Sequence, residues 1–475
     1  MGEVSGKQPK RADPIRRALG LPTPARPGDT LKREPNGESA GGTPAAGRTT
    51  LQEVRRHPVT GFLQVLGPGL ITGASDDDPS GIGTYSQVGS RFGYGLLWAA
   101  LFTFPLMAAV QELCARIALQ TGAGLGVSLR KKFPTTLVAA CVLLLFVANT
   151  INVGADLGAI AAGGSLLTGL PQKLLVLAAG LLILGLQFFL AYPVIFRIFK
   201  WLTLALFAYV ITAFVVHPNA GKVVFSTFVP HVEPSKDFIT ALVAVLGTTI
   251  SPYLFFWQAS SEVDEMRASG QVTQAQRRGV RKQELAAARF DILVGMFFSN
   301  IVMFFIILTS AAVLNAHGKT NIESAAQAAA ALQPLTGRFS SIVFAAGMIG
   351  TGLLAIPILS GSAAYALKEV TGIPGTLASR PRFRPTFYIV LALSVVIGFA
   401  LNFVHIDPMS ALFWTAVING LVAPPLMVLI VILGSDRKLM ADKVSGKLSL
   451  TLTWLATALM SAAAVAMILT TWVIK

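Results

Sequence analysis

Charge is scarce in this sequence of 475 residues, of which 13% are Asp, Glu, Lys or Arg and 53% are hydrophobic. Soluble domains carry about 25% charged residues, so a water-soluble globular protein is excluded. Cysteine is scarcer still, with two in the chain, and histidine numbers five. Cys114 and Cys141 sit in separate apolar stretches, which leaves no cysteine metal centre to expect. His57, His217, His231, His317 and His405 fall in loops or at the ends of apolar runs. Without a nucleophile and base pair or an assembled metal centre, the sequence does not read as an enzyme and implies no cofactor.

What is present is a series of apolar runs near 61–90 (interrupted), 94–118, 135–160, 173–191, 194–216, 238–260, 287–315, 340–366, 386–404, 408–433 and 448–472. Most are long enough to cross a hydrocarbon core of ~30 Å as a helix. Runs of this length exclude a membrane β-barrel, whose strands are short. The expectation is therefore an all-α membrane protein of eleven spans.

Residues 1–57 differ, being rich in Pro, Gly, Arg and Lys without a sustained apolar period. They read as a disordered basic tail that contacts anionic lipid rather than nucleic acid. Nothing in them resembles a signal-peptide core, so the tail is expected in the cytosol. Basic residues then gather on the cytoplasmic side: Arg130, Lys131, Lys132, Arg197, Lys200, the 267–282 stretch, Lys368, Arg380, Arg382, Arg384 and the 437–447 stretch. By the positive-inside rule the N-terminus is cytoplasmic and the C-terminus outside. The expected setting is a bacterial inner membrane, with nothing to exclude a monomer.

Two runs are broken. The first contains GASDDDPSGIG and the sixth contains GTTISPYLFF. Proline removes a backbone donor and clashes with the preceding turn. Irregular backbone persists at membrane depth only where it is buried in protein or lines a cavity. Interrupted segments at the first and sixth positions point to two inverted five-helix repeats with a midplane binding site. Repeat one covers about 61–216, repeat two about 238–433, and an extra helix about 448–472, all within a transporter domain of 58–475. An ionisable residue inside the membrane is functional by default. Asp78, at the first break, is the leading candidate, while Asp76 and Asp77 read as vestibule or relay groups.

These stretches resemble the natural resistance-associated macrophage protein (Nramp) transporters of divalent metals. The resemblance covers most of 55–475 and rests on GPGLITGASDDDPSGI, QELCARIALQTGAGL, FRIFKWLTLALF and GTTISPYLFFWQAS. It implies a LeuT-type 5+5 inverted repeat, helices 1 and 6 unwound at midplane, and import of manganese or iron with protons. The family usually carries Asp-Pro-Gly-Asn in its first helix and Met-Pro-His in its sixth. Here Asp78 and Pro79 match, but Gly81 stands for the asparagine, Ser251 for the methionine and Tyr253 for the histidine. The proton-linked Asp-x-x-Glu of the third helix aligns with Asn152 and Ala155. Asp156 follows, one helical step on, which would point it elsewhere. In the tenth helix Ala416 takes the glutamine position and Asn419 lies one turn on.

A thioether favours soft or borderline transition metals, whereas carboxylate, carbonyl and water suit Mg2+, Ca2+ and Mn2+. Magnesium keeps several waters and needs only one or two carboxylates. A substrate site of Asp78, Ser80, Gly81, Thr248, Thr249, Ser251 and Tyr253, with Asp78 and Ser251 on the metal, therefore suits a partly hydrated hard cation. Asn152 and Asp156 join Asp76 and Asp77 as the relay set, and the loss of the family's third-helix carboxylates implies weak or no proton coupling. The alternative is that metal transport is lost. A small anion such as bicarbonate, or a small polar solute, would then bind between Ser80, Gly81, Ser251 and Tyr253 at the N-terminus of the second half of helix 6.

Overall fold

A computed structural model of the chain describes residues 68–190, 204–373, 375–377, 384–404 and 406–473. The basic tail, the start of the fifth run, His57, His405, Arg197, Lys200, Arg380 and Arg382 lie outside the described residues. All regular structure among the described residues is helical. The principal helices are α1 (Pro68–Asp76), α2 (Pro79–Phe92), α3 (Leu97–Thr121), α4 (Thr135–Thr168), α5 (Gln172–Phe189) and α6 (Phe207–Val216). They continue as α7 (Lys236–Thr249), α8 (Pro252–Ala268), α9 (Lys282–Val313), α10 (Ser340–Thr371), α11 (Pro385–Leu401), α12 (Pro408–Gly434) and α13 (Lys447–Ile468).

A helix stands in each of the eleven apolar segments. Eight helical stretches are long and apolar enough to cross a membrane, with Pro79–Thr121 and Ala325–Thr371 each counted as one. Two more apolar helices, Leu204–Val216 and Pro385–Leu401, are shorter. Several helices outrun their apolar runs: α4 continues to Thr168 and α10 to Thr371. Each stops at a glycine in the left-handed region, Gly169 at φ 71° and Gly372 at φ 80°. The stop is set by backbone chirality, which the extent of an apolar run does not encode.

The two breaks fall where the sequence places them. The first run divides into α1 and α2 around Asp77–Asp78, and the sixth into α7 and α8 around Ile250–Ser251. Helix α4 packs along α10 and is flanked by α11 and α12, while α1 and α2 lie against α9 and α7 against α12. Small residues carry these contacts, as expected where lipid supplies no hydrophobic drive between helices. A Cβ on Gly73 would fall within the backbone of Gly295, and one on Gly69 would lie 2.6 Å from the Ile292 nitrogen. The Gly154 and Gly158 pair seats α4 on α11, with Asn402 donating to the Gly154 carbonyl at 2.8 Å.

Asp291, an acidic residue within apolar α9, accepts from the Gly69 amide at 2.7 Å and the Leu70 amide at 3.1 Å. The first amides of a helix have no intrahelical partner. A neighbouring helix thus answers two of those of α1, which fixes α1 on α9 at its starting end.

Because the Gly73–Gly295 contact is backbone on backbone, no rotamer change can relieve a side chain there. Gly295→Leu should destabilise the protein by more than the ~1–3 kcal/mol of ordinary overpacking. Gly185→Ala, at a glycine with nothing within 4 Å, should leave thermal stability and size-exclusion profile unchanged. Equal melting temperatures for the two variants would refute this packing.

Candidate functional site

Asp78 begins α2 as its N-cap, in extended conformation, with Pro79 at the first helical position. Proline fits there because its missing N–H had no helical partner to lose. The Asp78 carboxylate then answers the amides that remain: Oδ1 accepts from the Gly81 N–H at 2.8 Å and from the Ser80 hydroxyl at 2.6 Å. Oδ2 accepts from Asn152 Nδ2 on α4 at 3.2 Å and faces the Tyr253 hydroxyl on α8 at 3.4 Å. That phenolic proton lies nearer the Ser75 carbonyl, at 2.9 Å, so Oδ2 is the less tightly held oxygen. Asp78 is 2% exposed, and charge at this depth depends on these donors.

The second break is built from hydroxyls turned onto their own helix. Ser251 makes no side-chain cap for α8. Its hydroxyl lies 3.1 Å from the Gly247 carbonyl and 2.8 Å from that of Thr248. Thr249 donates to the Val245 carbonyl at 2.5 Å. Thr248 Oγ1 is buried without a partner and lies 3.4 Å from the place a Cβ on Gly81 would take. The two breaks therefore meet at Gly81 and Thr248.

Asp76 and Asp77 are buried against α9 rather than exposed to a solvated vestibule. The Ser299 hydroxyl lies 2.8 Å from Asp76 Oδ2 and 3.2 Å from Asp77 Oδ1, so one proton serves two carboxylates. Asp76 Oδ1 has no partner. Asp156 shares a helix face with Asn152, four residues earlier. The expectation that it points elsewhere is corrected: one step from Ala155 is also one full turn from Asn152, and residues four apart on a helix are neighbours. Its carboxylate lies at the Ser80 amide and beside Asp78. Asn419 is buried in α12 with neither amide atom partnered.

Sequence reasoning missed Ser299, Asp291, Tyr85 and Met303. The Tyr85 hydroxyl lies 3.5 Å from Thr249 Oγ1, and the Met303 sulfur lies 3.7 Å from it. A usable signal existed for two of them, since Asp291 and Ser299 are polar interruptions of an apolar run. Nothing local marks Tyr85 or Met303, whose roles depend on which helices meet. Among the described residues no group of three or more His, Cys, Asp or Glu side chains is placed to hold a metal ion. A cation here must rely on few carboxylates, neutral oxygens and its own water.

Paired helix breaks beneath an all-helical bundle define a transporter of the LeuT-type inverted-repeat class. The chain is similar to MHP1, a nucleobase-cation-symport-1 family transporter in a closed conformation with bromovinylhydantoin bound, at 16% identity. That match covers 85% of this chain and 90% of the other, with a TM-score of 0.50. It is also similar to the Eremococcus coleocola manganese transporter in complex with an aromatic bis-isothiourea substituted compound, at 16% identity and a TM-score of 0.67, covering 88% of this chain and 90% of that one. The family model described as natural resistance-associated macrophage protein-like matches residues 69–470. The chain belongs to this Nramp family, whose members are integral membrane transporters and not enzymes.

Tyr253 links α8 to both the Ser75 carbonyl and Asp78. Tyr253→Phe keeps the ring and removes that donor, leaving buried acceptors short of one partner at about 1–3 kcal/mol. The expected outcome is a lower melting temperature with the helical circular-dichroism spectrum retained. An unchanged melting temperature would show the contact to be dispensable.

Proposed function

We propose that the chain is a secondary transporter of a hard divalent cation across the inner (cytoplasmic) membrane, with Mg2+ the preferred substrate and Mn2+ second. Its termini lie as the basic-residue distribution sets them, N-terminus inside and C-terminus outside. The observation that carries the choice of cation over anion is the occupation of the donors. Ser80, Gly81 and Tyr253 are three of the four groups that would hold a small anion, and all three face Asp78. The protein's own carboxylate fills that role. What remains without side-chain partners at the breaks is Thr248 Oγ1, which can give or accept, and four acceptors: Asp76 Oδ1, Asn152 Oδ1 and both Asp156 oxygens. Surplus buried acceptors call for a cation.

Hardness follows from the ligands. Asp78 Oδ2 is the oxygen with the longer contacts, and a cation approaching it displaces Asn152 and Tyr253 more easily than the short bonds on Oδ1. The position of the family methionine is Ser251, an oxygen donor whose lone pairs stay available while its proton points back to α7. Met303 supplies a sulfur, but its contact is with Thr249 rather than Asp78. An oxygen-only site holding a partly hydrated ion suits magnesium. Neutral Asn152 and Ala155 on α4, with Tyr253 in place of histidine, favour uptake without stoichiometric proton movement. Membrane potential then drives entry at ~2.3 kcal/mol per charge per 100 mV.

Uptake into proteoliposomes, with Mg2+, Mn2+ and bicarbonate offered side by side, tests this. We expect Mg2+ flux, no flux in Asp78→Asn, and a flat signal from a pH-sensitive dye inside the vesicles. Bicarbonate uptake with no metal flux would overturn the reading. Acidification in step with Mg2+ entry would overturn the uncoupled mechanism.

Selectivity gives a separate check. Ser251→Met returns a thioether to the second break and should move preference toward Mn2+ and Cd2+ in competition uptake. Adding Gly81→Asn should extend the shift, although a Cβ at position 81 meets Tyr85 at 3.3 Å and Thr248 at 3.4 Å and those groups must yield slightly. Unaltered preference in the double variant would show that softness at this position does not set selectivity.

A further inference from the structure

Among the described residues near the breaks, Asp156 is the one carboxylate to which no side chain donates a hydrogen bond, and the residue is 0% exposed. The other acidic groups there are provided for: Asp78 by Ser80, Gly81 and Asn152, and Asp76 and Asp77 by Ser299. Asn152 and Asp156 occupy successive turns of one face of α4. Asn152 reaches Asp78 Oδ2, and Asp156 stands at the Ser80 amide, two residues further along the same break. The next turn of that face carries Ile160, which with Pro79 packs on Gly352 of α10, so this whole stripe of α4 is pressed against the start of α2. Asn152 Oδ1, on the same stripe, is also without a partner.

Resting on the hard-cation reading, we propose that Asp156 is the second carboxylate of the substrate site, so that the transported ion sits between Asp78 on the broken helix and Asp156 on α4. Two buried carboxylates side by side repel, and a divalent cation between them balances both charges. Magnesium is held by one or two carboxylates with the rest of its shell as water or neutral oxygen, which Asn152 Oδ1 and the hydroxyl of Ser251 or Thr248 can supply. The chain has thus exchanged a neutral soft ligand on the sixth helix for an anionic hard one on the third. The exchange explains how a site without the family's methionine and asparagine retains a divalent ion.

The test uses the purified full-length protein in detergent, with Mg2+ as the only probe. Mg2+ affinity is measured by calorimetry, and melting temperature with and without the ion. Asp156→Asn keeps the shape and removes the charge. We expect its Mg2+ affinity to fall tenfold or more and its Mg2+-induced rise in melting temperature to shrink. Its ion-free melting temperature should equal or exceed that of wild type, because a buried acidic group that no side chain partners is gone. Asp156→Glu should recover part of the affinity, and Asp156→Ser replaces Asn if that variant does not fold. A residue that only packs would instead lower the ion-free melting temperature and leave affinity unchanged, and that result overturns the proposal. If wild type binds no Mg2+, the hard-cation reading itself falls and this inference with it. If wild type binds, Asp78→Asn does not, and Asp156→Asn binds as wild type, only the assignment of Asp156 fails.

Discussion

A helix broken inside a membrane must have its freed backbone groups answered by the protein, since hydrocarbon offers none. At the first break Asp78 does this, and much of the surrounding arrangement depends on it. One carboxylate caps α2 through Gly81 and Ser80 and draws in Asn152 from α4 and Tyr253 from α8. An anion beside a helix N-terminus is favoured by the exposed amides and the macrodipole. Here a single anion sits at the first turn of α2 and against the first turn of α8. Helix cap, tie between the two repeats and proposed ion ligand are therefore one group. On the proposed function, a cation that takes Oδ2 would loosen the contacts to α4 and α8 and leave the cap on Oδ1 in place, so that binding the substrate and freeing the helices would be the same event.

Helix α1 is fixed by Asp291 at its first amides and by Gly69 and Gly73 against α9. Helix α7 is fixed by Gly247 against the Ala416 and Gly420 backbone of α12. Helix α2 also packs by a glycine, Gly89 against the Ile307 carbonyl of α9, and polar contacts tie both second halves further. Arg91 at the end of α2 pairs with Asp237 at the start of α7. Midway along α8, Ser260 donates to Glu369 of α10, which also accepts from the Gly126 amide at 2.7 Å. Asp264 accepts from Tyr365 of α10 at 2.6 Å. Close glycine contacts resist sliding, whereas exposed ion pairs such as Arg91–Asp237 contribute little and part easily.

Much of the fold was legible because its signals are local. Apolar length marks a span, and proline with glycine inside one marks a break. The site was legible to the extent that chain neighbours make it: Asp78, Ser80 and Gly81 are neighbours in both sequence and space. Tyr253 could be named from the motif, but its bond to the Ser75 carbonyl joins residues 178 apart. Ser299 beneath Asp76 is 223 residues away, and no spacing rule predicts that pairing. Asp156 was misjudged for a narrower reason. It was measured against the family's glutamate position, one step away, when its relation to Asn152, one turn away, decides its direction.

The same logic bears on why losing a methionine need not mean losing a metal. Ligand softness selects among metals, but charge holds them, and a thioether contributes none. Replacing Met by Ser at the second break costs selectivity for soft ions while leaving Asp78 in place. Near that carboxylate the chain also buries Asp76, Asp77 and Asp156, and the side-chain donors available to these are few: one serine hydroxyl for the first two and none for the third. Burying so much acidic oxygen with so little compensation is unfavourable for the charged groups, which must take up a proton or meet a cation. The cost is too large to keep for packing alone, since neutral side chains of similar size would fill the same space without it. On the proposed function the acidic surplus is binding capacity stored in the fold, oxygen kept short of donors so that a divalent ion can leave water to meet it.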